Sequence, residues 1–383
     1  MQEDFHYYAT YCAAYIAGYS HEESLAVCYS AQFVDLCSRT LLSKLKAPLS
    51  AATTQLQLEL VDANTDLLGL QDITRIWASF HFLPKDLYAK RRFCTKYYRS
   101  KYRLICGPNG DLVRDTVELA KDRSLQAAGV AMHVLADTWA HAYFAGTPSL
   151  VINNTNYHFY EILPDGDRQI KFRHSASKPD EPDKSIYTCS IYQMHEHSIM
   201  NLGHGRAGHL PDYSFIRYRY LPAWYDYEEI IKDNPSDYYH AFCQMVYAMQ
   251  YLRGERPAFE TEQYAWETVQ PYEEQIRAIL EKRQLDACAD WAAFGKQLSG
   301  EEIPAFDLEA YQQEYRDATD KNSTVLGKFI LAALAQKSMV TNRIYRSKNL
   351  LAGFSINFAE KGFMGIKDYR MLTEELGRGQ EHD

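Results

Sequence analysis

Apolar residues recur at helical spacing along most of this chain. The periodicity predicts helices over residues 5–18, 20–45, 55–80, 111–120, 124–144, 238–253, 259–283 and 308–337. Ser20 followed by Glu23 is a capping-box sequence, which predicts that the second helix begins there. The pattern therefore predicts an all-α, mainly helical fold.

The character of the sequence changes over residues 148–222, where Pro, Gly, Asn and Asp cluster. YHFYEI and RQIKFRHS flank Pro164–Asp165–Gly166 and predict a small β-hairpin. No convincing linker interrupts the chain, so we expect residues 1–383 to form a single domain with 148–222 as a loop-rich insertion. Insertions of this length inside a compact domain are usually functional, so we expect this one to contribute to a site.

Composition narrows the classes of function. The net charge is −9 over 383 residues, which argues against binding of nucleic acid through the overall charge of the protein. The eight cysteines form no C-x2-C pair, so their spacing does not predict a zinc-ribbon or redox motif. This pattern is typical of free thiols in a reducing compartment. The sequence shows neither a signal peptide nor an apolar run long enough to span a bilayer. We therefore expect a cytoplasmic protein without a transmembrane segment.

The segment AAGVAMHVLADTWAHAYFAG (127–146) carries the strongest chemical signal. His133, Asp137 and His141 interrupt an otherwise apolar helix, and steps of four residues place them on one face. A buried Asp between two imidazoles needs partners, because an unpaired buried charge is costly. A divalent cation would satisfy all three, and a hydrogen-bonded cluster that only stabilises the core is the alternative.

Three further candidates lie earlier in the chain. His6 is near the start of the first helix, where a histidine is either exposed or a ligand. Asp35 shares the core-facing arc of the second helix with Cys28 and Gln32, so its carboxylate is either paired or coordinates metal. His81 lies among aromatic residues where a helix ends before Pro84, which also suits a core histidine.

The insertion contains GHGRAGHLPD, in which three glycines allow a close approach of the backbone to a ligand. His204, His209 and Asp212 are candidate metal ligands in this loop, and a tight surface turn is the alternative. Arg206 suits bidentate binding of a phosphate. Residues 85–103 are basic and rich in Tyr, which indicates either an anion-gathering rim or a solvated segment.

In chain order the candidate ligands are His6, Asp35, His81, His133, Asp137, His141, His204 or His209, and Asp212. This order resembles the zinc-dependent phospholipase C / P1-nuclease family over about residues 1–215. That all-α family builds its cluster from an early His, an Asp on a following helix, another His, an H-x3-D helix, a further His, and a later His with a carboxylate. The chain is also similar to a group of bacterial proteins that share the HVLADTWAH core.

The resemblance implies a metal-dependent phosphoesterase that hydrolyses a phosphodiester or a phospholipid with a metal-activated water. The ligands imply one or two zinc ions, with iron or manganese as alternatives. One ion is expected at His81, His133, Asp137 and Asp35, and a second near His6, Asp137 and either His141 or His209. Arg206 would bind a phosphate oxygen, and Asp35 would be the general base if it is not a ligand.

The sequence does not determine the substrate, and it leaves more than one class of protein as alternatives. A phosphate-containing small molecule, a phospholipid and single-stranded nucleic acid all suit the predicted site. In the family an α-amino group ligates one metal, whereas here four residues precede Phe5, so we do not expect that ligand. A closed, non-catalytic metal centre in a binding or scaffold protein is the main alternative, and a metal-free helical interaction protein is another. The oligomeric state is not predicted.

Overall fold

The fold is organised around one buried central helix. A computed structural model describes residues 1–63, 67–90, 95–155, 158–225, 228–349 and 351. The central helix, α8 (Leu125–Ala140), begins at Ser124, whose side chain accepts a hydrogen bond from the backbone N–H of Ala127. Every residue of α8 from Gln126 onward is buried, as expected for a helix that is apolar on nearly all sides.

Short helices precede α8. The chain starts with a π-helical segment, Asp4–Ala9, which continues directly into α1 (Thr10–Ile16). The following helices are α2 (His21–Phe33), α3 (Arg39–Leu45), α4 (Gln57–Ala63), α5 (Leu67–Phe80), α6 (Lys96–Tyr102) and α7 (Asp111–Ala120). The capping box of Ser20 and Glu23 is present, and the bounds predicted for 111–120 are confirmed. The predicted helix 20–45 is wrong in extent, because α2 ends at Phe33 and α3 starts anew behind its cap, Ser38.

The region between α8 and the next long helix contains most of the irregular structure. It holds α9 (Leu150–Asn153) and the strands β1 (Tyr160–Glu161), β2 (Arg168–Gln169), β3 (Lys171–Arg173), β4 (Ile186–Thr188), β5 (Arg217–Tyr220) and β6 (Ile230–Asp233). Strands β1 and β2 form the predicted antiparallel hairpin. The sheet is larger than predicted, since β5 and β6 extend it in the order β2-β1-β5-β6 and reach beyond residue 222. Strands β3 and β4 pair in parallel as a separate ribbon.

The C-terminal part returns to helices. These are α10 (Asn234–Leu252), α11 (Trp266–Val269), α12 (Glu273–Glu281), α13 (Cys288–Ser299), α14 (Glu309–Asp317) and α15 (Val325–Arg346). The predicted helix 308–337 is interrupted between Asp317 and Val325, where Thr324 caps α15 by accepting from the backbone N–H of Gly327. Among the described residues, no helix combines the length and the apolar character needed to cross a bilayer.

Helix α8 is surrounded by α2, α5, α7, α10 and α15. A continuous cluster of buried hydrophobic side chains links these helices and extends from Met1 to Ile344. The mainly helical class is therefore confirmed for the described residues, while residues 352–383 of the predicted domain lie outside them. The packing places the His/Asp face of α8 in the interior, where polar side chains need partners.

Candidate metal centre

The close approach of α2 to α8 positions the first histidine of the triplet. A Cβ atom at Gly129 would lie 2.3 Å from the carbonyl oxygen of Val27, so a side chain there would force the helices apart. One turn further along α8, the Nδ1 atom of His133 donates to the carbonyl oxygen of Ala31 at 2.9 Å. The glycine thus allows α2 to orient His133, a packing role that the sequence alone did not indicate.

The first donor group joins the N-terminal segment to α8. His6 Nε2 lies 3.1 Å from Asp137 Oδ1, and the rings of His6 and His133 are stacked with centroids 3.8 Å apart. His6, His133 and Asp137 are all buried, and each offers one ligand atom to a common point. His6 is therefore an interior residue of the site and not an exposed terminal histidine.

The second group lies beside the other oxygen of the same carboxylate. His81 Nδ1 is 3.3 Å from Asp137 Oδ2 and 3.8 Å from Asp35 Oδ1. His133 Nε2 is 3.1 Å from Asp137 Oδ2, so this imidazole also belongs to the second group. The Asp35 side chain is 29% exposed, whereas Asp137 is 1% exposed, so the group reaches solvent at Asp35.

The third group joins the end of α8 to the glycine-rich loop. His141 Nε2 lies 3.1 Å from Asp212 Oδ1, and His204 Nε2 lies 3.6 Å from the same oxygen. The ring of Phe82 stacks on His141 and also contacts His204. The loop therefore lies against the end of α8 and contributes one imidazole and one carboxylate to the third group.

Four of the five imidazoles are oriented in the same way. The nitrogen that points away from its donor group contacts a backbone carbonyl oxygen at 2.7–3.0 Å in each case. The pairs are His81 with Thr53, His133 with Ala31, His141 with His81, and His204 with Gly208. A carbonyl oxygen only accepts, so each of these nitrogens carries a hydrogen, and the opposite nitrogen of each ring faces the donor group.

Charge in the site follows from burial and neighbours. Burial lowers the pKa of His6, His133 and His204 to about 4, so these imidazoles are neutral at pH 7. Burial alone would raise the pKa of Asp137, but His141 and the amino group of Met1 hold it well below its usual value. Burial would likewise raise the pKa of Asp212, but His204 and the amino group of Met1 hold it well below its usual value. The site thus combines two ionised carboxylates, Asp137 and Asp212, with neutral imidazoles at His6, His133 and His204, and these are protonation states that metal ligands require.

The donor atoms of each group lie close enough together to share one cation. His133 Nε2 and His81 Nδ1 are 3.3 Å apart, and the other nitrogen of each ring contacts a backbone carbonyl oxygen. Within each group the ligand atoms lie within 4.8 Å of one another, and nitrogen with carboxylate oxygen suits zinc. These buried groups could therefore hold metal ions.

Two predicted site residues lie outside the donor groups. His209 Nδ1 contacts Asp212 Oδ2 at 2.9 Å, and its side chain is 59% exposed. This contact lets His209 orient the carboxylate of Asp212, and its role as a metal ligand stays a prediction. Arg206 is buried, donates to the carbonyl oxygen of Thr155 and stacks on the ring of Tyr192. Its role as a phosphate ligand stays a prediction.

The structure divides the ligands differently from the sequence-based assignment. Either His141 or His209 was expected to share a second ion with His6 and Asp137, and in the structure His141 lies with His204 and Asp212 in a third group. The amino nitrogen of Met1 lies 2.9 Å from Asp137 Oδ1 and 3.2 Å from Asp212 Oδ1, between the first and third groups. Burial would lower the pKa of this amino group, but Asp137 and Asp212 raise it to about 11, so the group is a cation that pairs with both carboxylates.

The fold and the site together define a mainly helical protein with three neighbouring groups of His and Asp side chains that could hold metal ions. The chain belongs to the DUF6765 family, described as a family of unknown function, whose sequence pattern matches residues 1–344. The matched region contains every donor residue of the three groups. No curated protein and no solved structure matches the chain.

Proposed function

We propose that this protein is a metal-dependent phosphoesterase whose ions, zinc first among the alternatives, are held by the three donor groups. The supporting observation is that Asp137 presents one carboxylate oxygen to each of two groups that share His133, with the third group beside them. Neighbouring divalent ions suit the attacking and leaving oxygens of a phosphoester displacement. When bound, such ions stabilise negative charge on phosphate oxygens and lower the pKa of water.

Asp35 is the residue of the site best placed to accept a proton. It is the most exposed carboxylate of the donor groups, and its Oδ1 atom is 3.8–3.9 Å from the nearest imidazole nitrogens. Burial raises the pKa of Asp35, while that of Asp137 is held low, so the two carboxylates differ in proton affinity. Asp35 can therefore orient and deprotonate an incoming water, and Asp137 stays ionised as a ligand.

The test combines metal analysis with a hydrolysis assay. Protein purified without an affinity tag and never exposed to chelator should contain at least one equivalent of divalent metal. It should also hydrolyse bis(p-nitrophenyl) phosphate, and His133→Ala should abolish this turnover because it removes the Nε2 donor atom that lies 3.1 Å from Asp137 Oδ2. His195→Gln is the matched control, since His195 is exposed and belongs to none of the donor groups formed by the described residues.

The assay separates this proposal from its alternatives. A metal-loaded protein without His133-dependent turnover on phosphodiesters, phospholipids or single-stranded nucleic acid would instead be a non-catalytic, metal-stabilised binding or scaffold protein. Well under half an equivalent of metal in carefully purified protein would refute the metal centre itself. In that case the His and Asp side chains would only form hydrogen bonds with one another and stabilise the core.

A further inference from the structure

We propose that the acidic residues 373–383 of this chain dock on a basic surface beside α6 and the end of α15. The inference stands on charge and on the course of the chain, and it does not rest on the proposed function. The occupant, TEELGRGQEHD, carries four carboxylate side chains and one arginine. The docking surface, called the basic surface below, consists of Lys85, Lys90, Arg99, Arg103, Arg346 and Lys348.

Hydrogen bonds hold one half of the basic surface together. The backbone N–H of Lys85 donates to the carbonyl oxygen of Ile105 at 2.9 Å. The Nε atom of Arg103 donates to the carbonyl oxygen of Ala89 at 3.2 Å. The two stretches of chain therefore run side by side, and the exposed Lys85 and Lys90 lie next to Arg103 at the end of α6.

The end of α15 brings the remaining cations to the same place. The side-chain amide of Asn349 donates to the carbonyl oxygen of Ser100 in α6 at 2.7 Å. Arg346 is the last residue of α15 and Lys348 follows it, and both are exposed. The contact between Asn349 and α6 therefore joins these two cations to the basic surface.

Positive charge is in excess at this surface, although the whole chain has a net charge of −9. Residues 84–90, 95–106 and 345–349 contain one carboxylate, that of Asp86, which accepts from the backbone N–H of Tyr88 at 2.8 Å. Lys101 is not part of the surface, because it is buried and pairs with Glu196. Neighbouring like charges repel one another, so an anionic occupant stabilises the arrangement.

The course of the chain selects residues 373–383 as that occupant. The last described residue is Leu351, whose backbone N–H donates to Asn349 Oδ1 at 3.2 Å, and Asn349 is the residue that contacts α6. The chain thus leaves the described structure at the edge of the basic surface. Residues 352–372 can span up to about 70 Å, so the acidic residues are within reach. Exposed ion pairs contribute only about 0.2–1 kcal/mol each, but several of them suffice for a contact within one chain.

The experiment is zero-length carbodiimide crosslinking of the full-length protein at low concentration, followed by peptide mass spectrometry. This reagent joins a carboxylate to a lysine amine only where the two are in contact. We expect the carboxylates of 373–383 to crosslink to Lys85 and Lys90 about tenfold more than to Lys44 and Lys46. Lys44 and Lys46 are the internal control, because both are exposed and lie at the end of α3, outside the basic surface.

Arg346→Glu tests the electrostatic origin of the contact. The substitution reverses one charge of the basic surface and keeps every lysine, so the yield at Lys85 and Lys90 should fall about fivefold. Sodium chloride at about 0.5 M should lower the wild-type yield in the same way, because salt screens exposed charges. Arg123→Glu is the matched control, since Arg123 is exposed and outside the basic surface, and its yield should equal that of the wild type.

Three results would overturn the proposal. The first is a wild-type yield at Lys85 and Lys90 that is no higher than at Lys44 and Lys46. The second is a yield that neither Arg346→Glu nor salt lowers. The third, in a mixture of isotopically labelled and unlabelled protein, is crosslinks that join only different copies, which would assign the contact to two chains. Hydrolysis plays no part in this test, so it stands apart from the test of the phosphoesterase.

Discussion

Asp137→Asn is the most informative single change in the centre. The carboxylate presents Oδ1 to His6 and Oδ2 to His81 and His133, so one side chain serves two donor groups. The amide keeps the shape but loses the charge and one acceptor oxygen. We expect the variant to lose metal from the first two groups and to retain metal at the third, which holds His141, His204 and Asp212.

The size of the effect follows from burial. Removing one partner of a buried charged network costs about 3–5 kcal/mol. A chain of 383 residues unfolds with an entropy of about 0.8 kcal/mol/K at about 2.1 cal/mol/K per residue. A loss of about 4 kcal/mol therefore corresponds to a fall in Tm of about 5 °C.

The assay is differential scanning calorimetry together with elemental analysis, before and after treatment with chelator. Metal binding to the folded state adds stability, so the wild type should lose Tm on chelation. The Asp137→Asn variant should have a lower Tm before chelation and a smaller fall in Tm on chelation, because fewer bound ions remain to be removed. Asp111→Asn is the control, because that carboxylate is 82% exposed and pairs only locally with Arg114.

Two results would contradict this reasoning. The first is an Asp137→Asn variant with wild-type metal content and a wild-type Tm. The second is a wild-type Tm that does not respond to chelator although Asp137→Asn is destabilised. That second result would assign the carboxylate to a hydrogen-bonded core cluster without metal.

Three further predictions concern the surroundings of the centre. Gly129→Ala places a Cβ atom 2.3 Å from the carbonyl oxygen of Val27, so calorimetry should show that the free energy of unfolding falls by about 1–3 kcal/mol. Metal content should also fall, because α2 moves away from His133. Asp35→Asn should abolish phosphodiester turnover while the first and third groups keep their metal by elemental analysis, because Asp35 belongs to neither. Burial lowers the pKa of Lys337 to about 8, whereas its value in the unfolded chain is about 10.4. Below pH 8 the buried ammonium group therefore lowers the free energy of unfolding. This loss of stability disappears as the pH rises towards 10.4. Lys337→Met should therefore be more stable than the wild type at pH 7 in denaturant titrations, and the difference should shrink by about 2 kcal/mol at pH 10.

The sequence predicted the parts of the site that depend on local spacing. The H-x3-D-x3-H pattern on an apolar helix placed His133, Asp137 and His141 on one buried face, because helix geometry converts spacing directly into direction. The glycines of the 201–212 loop indicated a close approach, and His204 and Asp212 do reach His141. The capping box of Ser20 and Glu23 was equally local, and it is present.

The parts that the sequence could not indicate depend on long-range packing. The segregation of His141 into a third group arises because the loop carrying His204 meets the end of α8, which no spacing within either segment encodes. The break between α2 and α3 follows from a backbone turn at 34–38 that Thr53 stabilises from a distant loop. The carbonyl oxygens that orient the imidazoles are also invisible in sequence, because every residue has one.

Exposure within the cluster is what favours a catalytic centre over a closed one. A structural site surrounds its metal with protein ligands, whereas a catalytic site keeps a position open to substrate. In this protein the carboxylate shared by two groups is fully buried, and solvent reaches the centre at Asp35 of the second group and His204 of the third. A substrate that enters at these ends meets the ligands with the least protein around them.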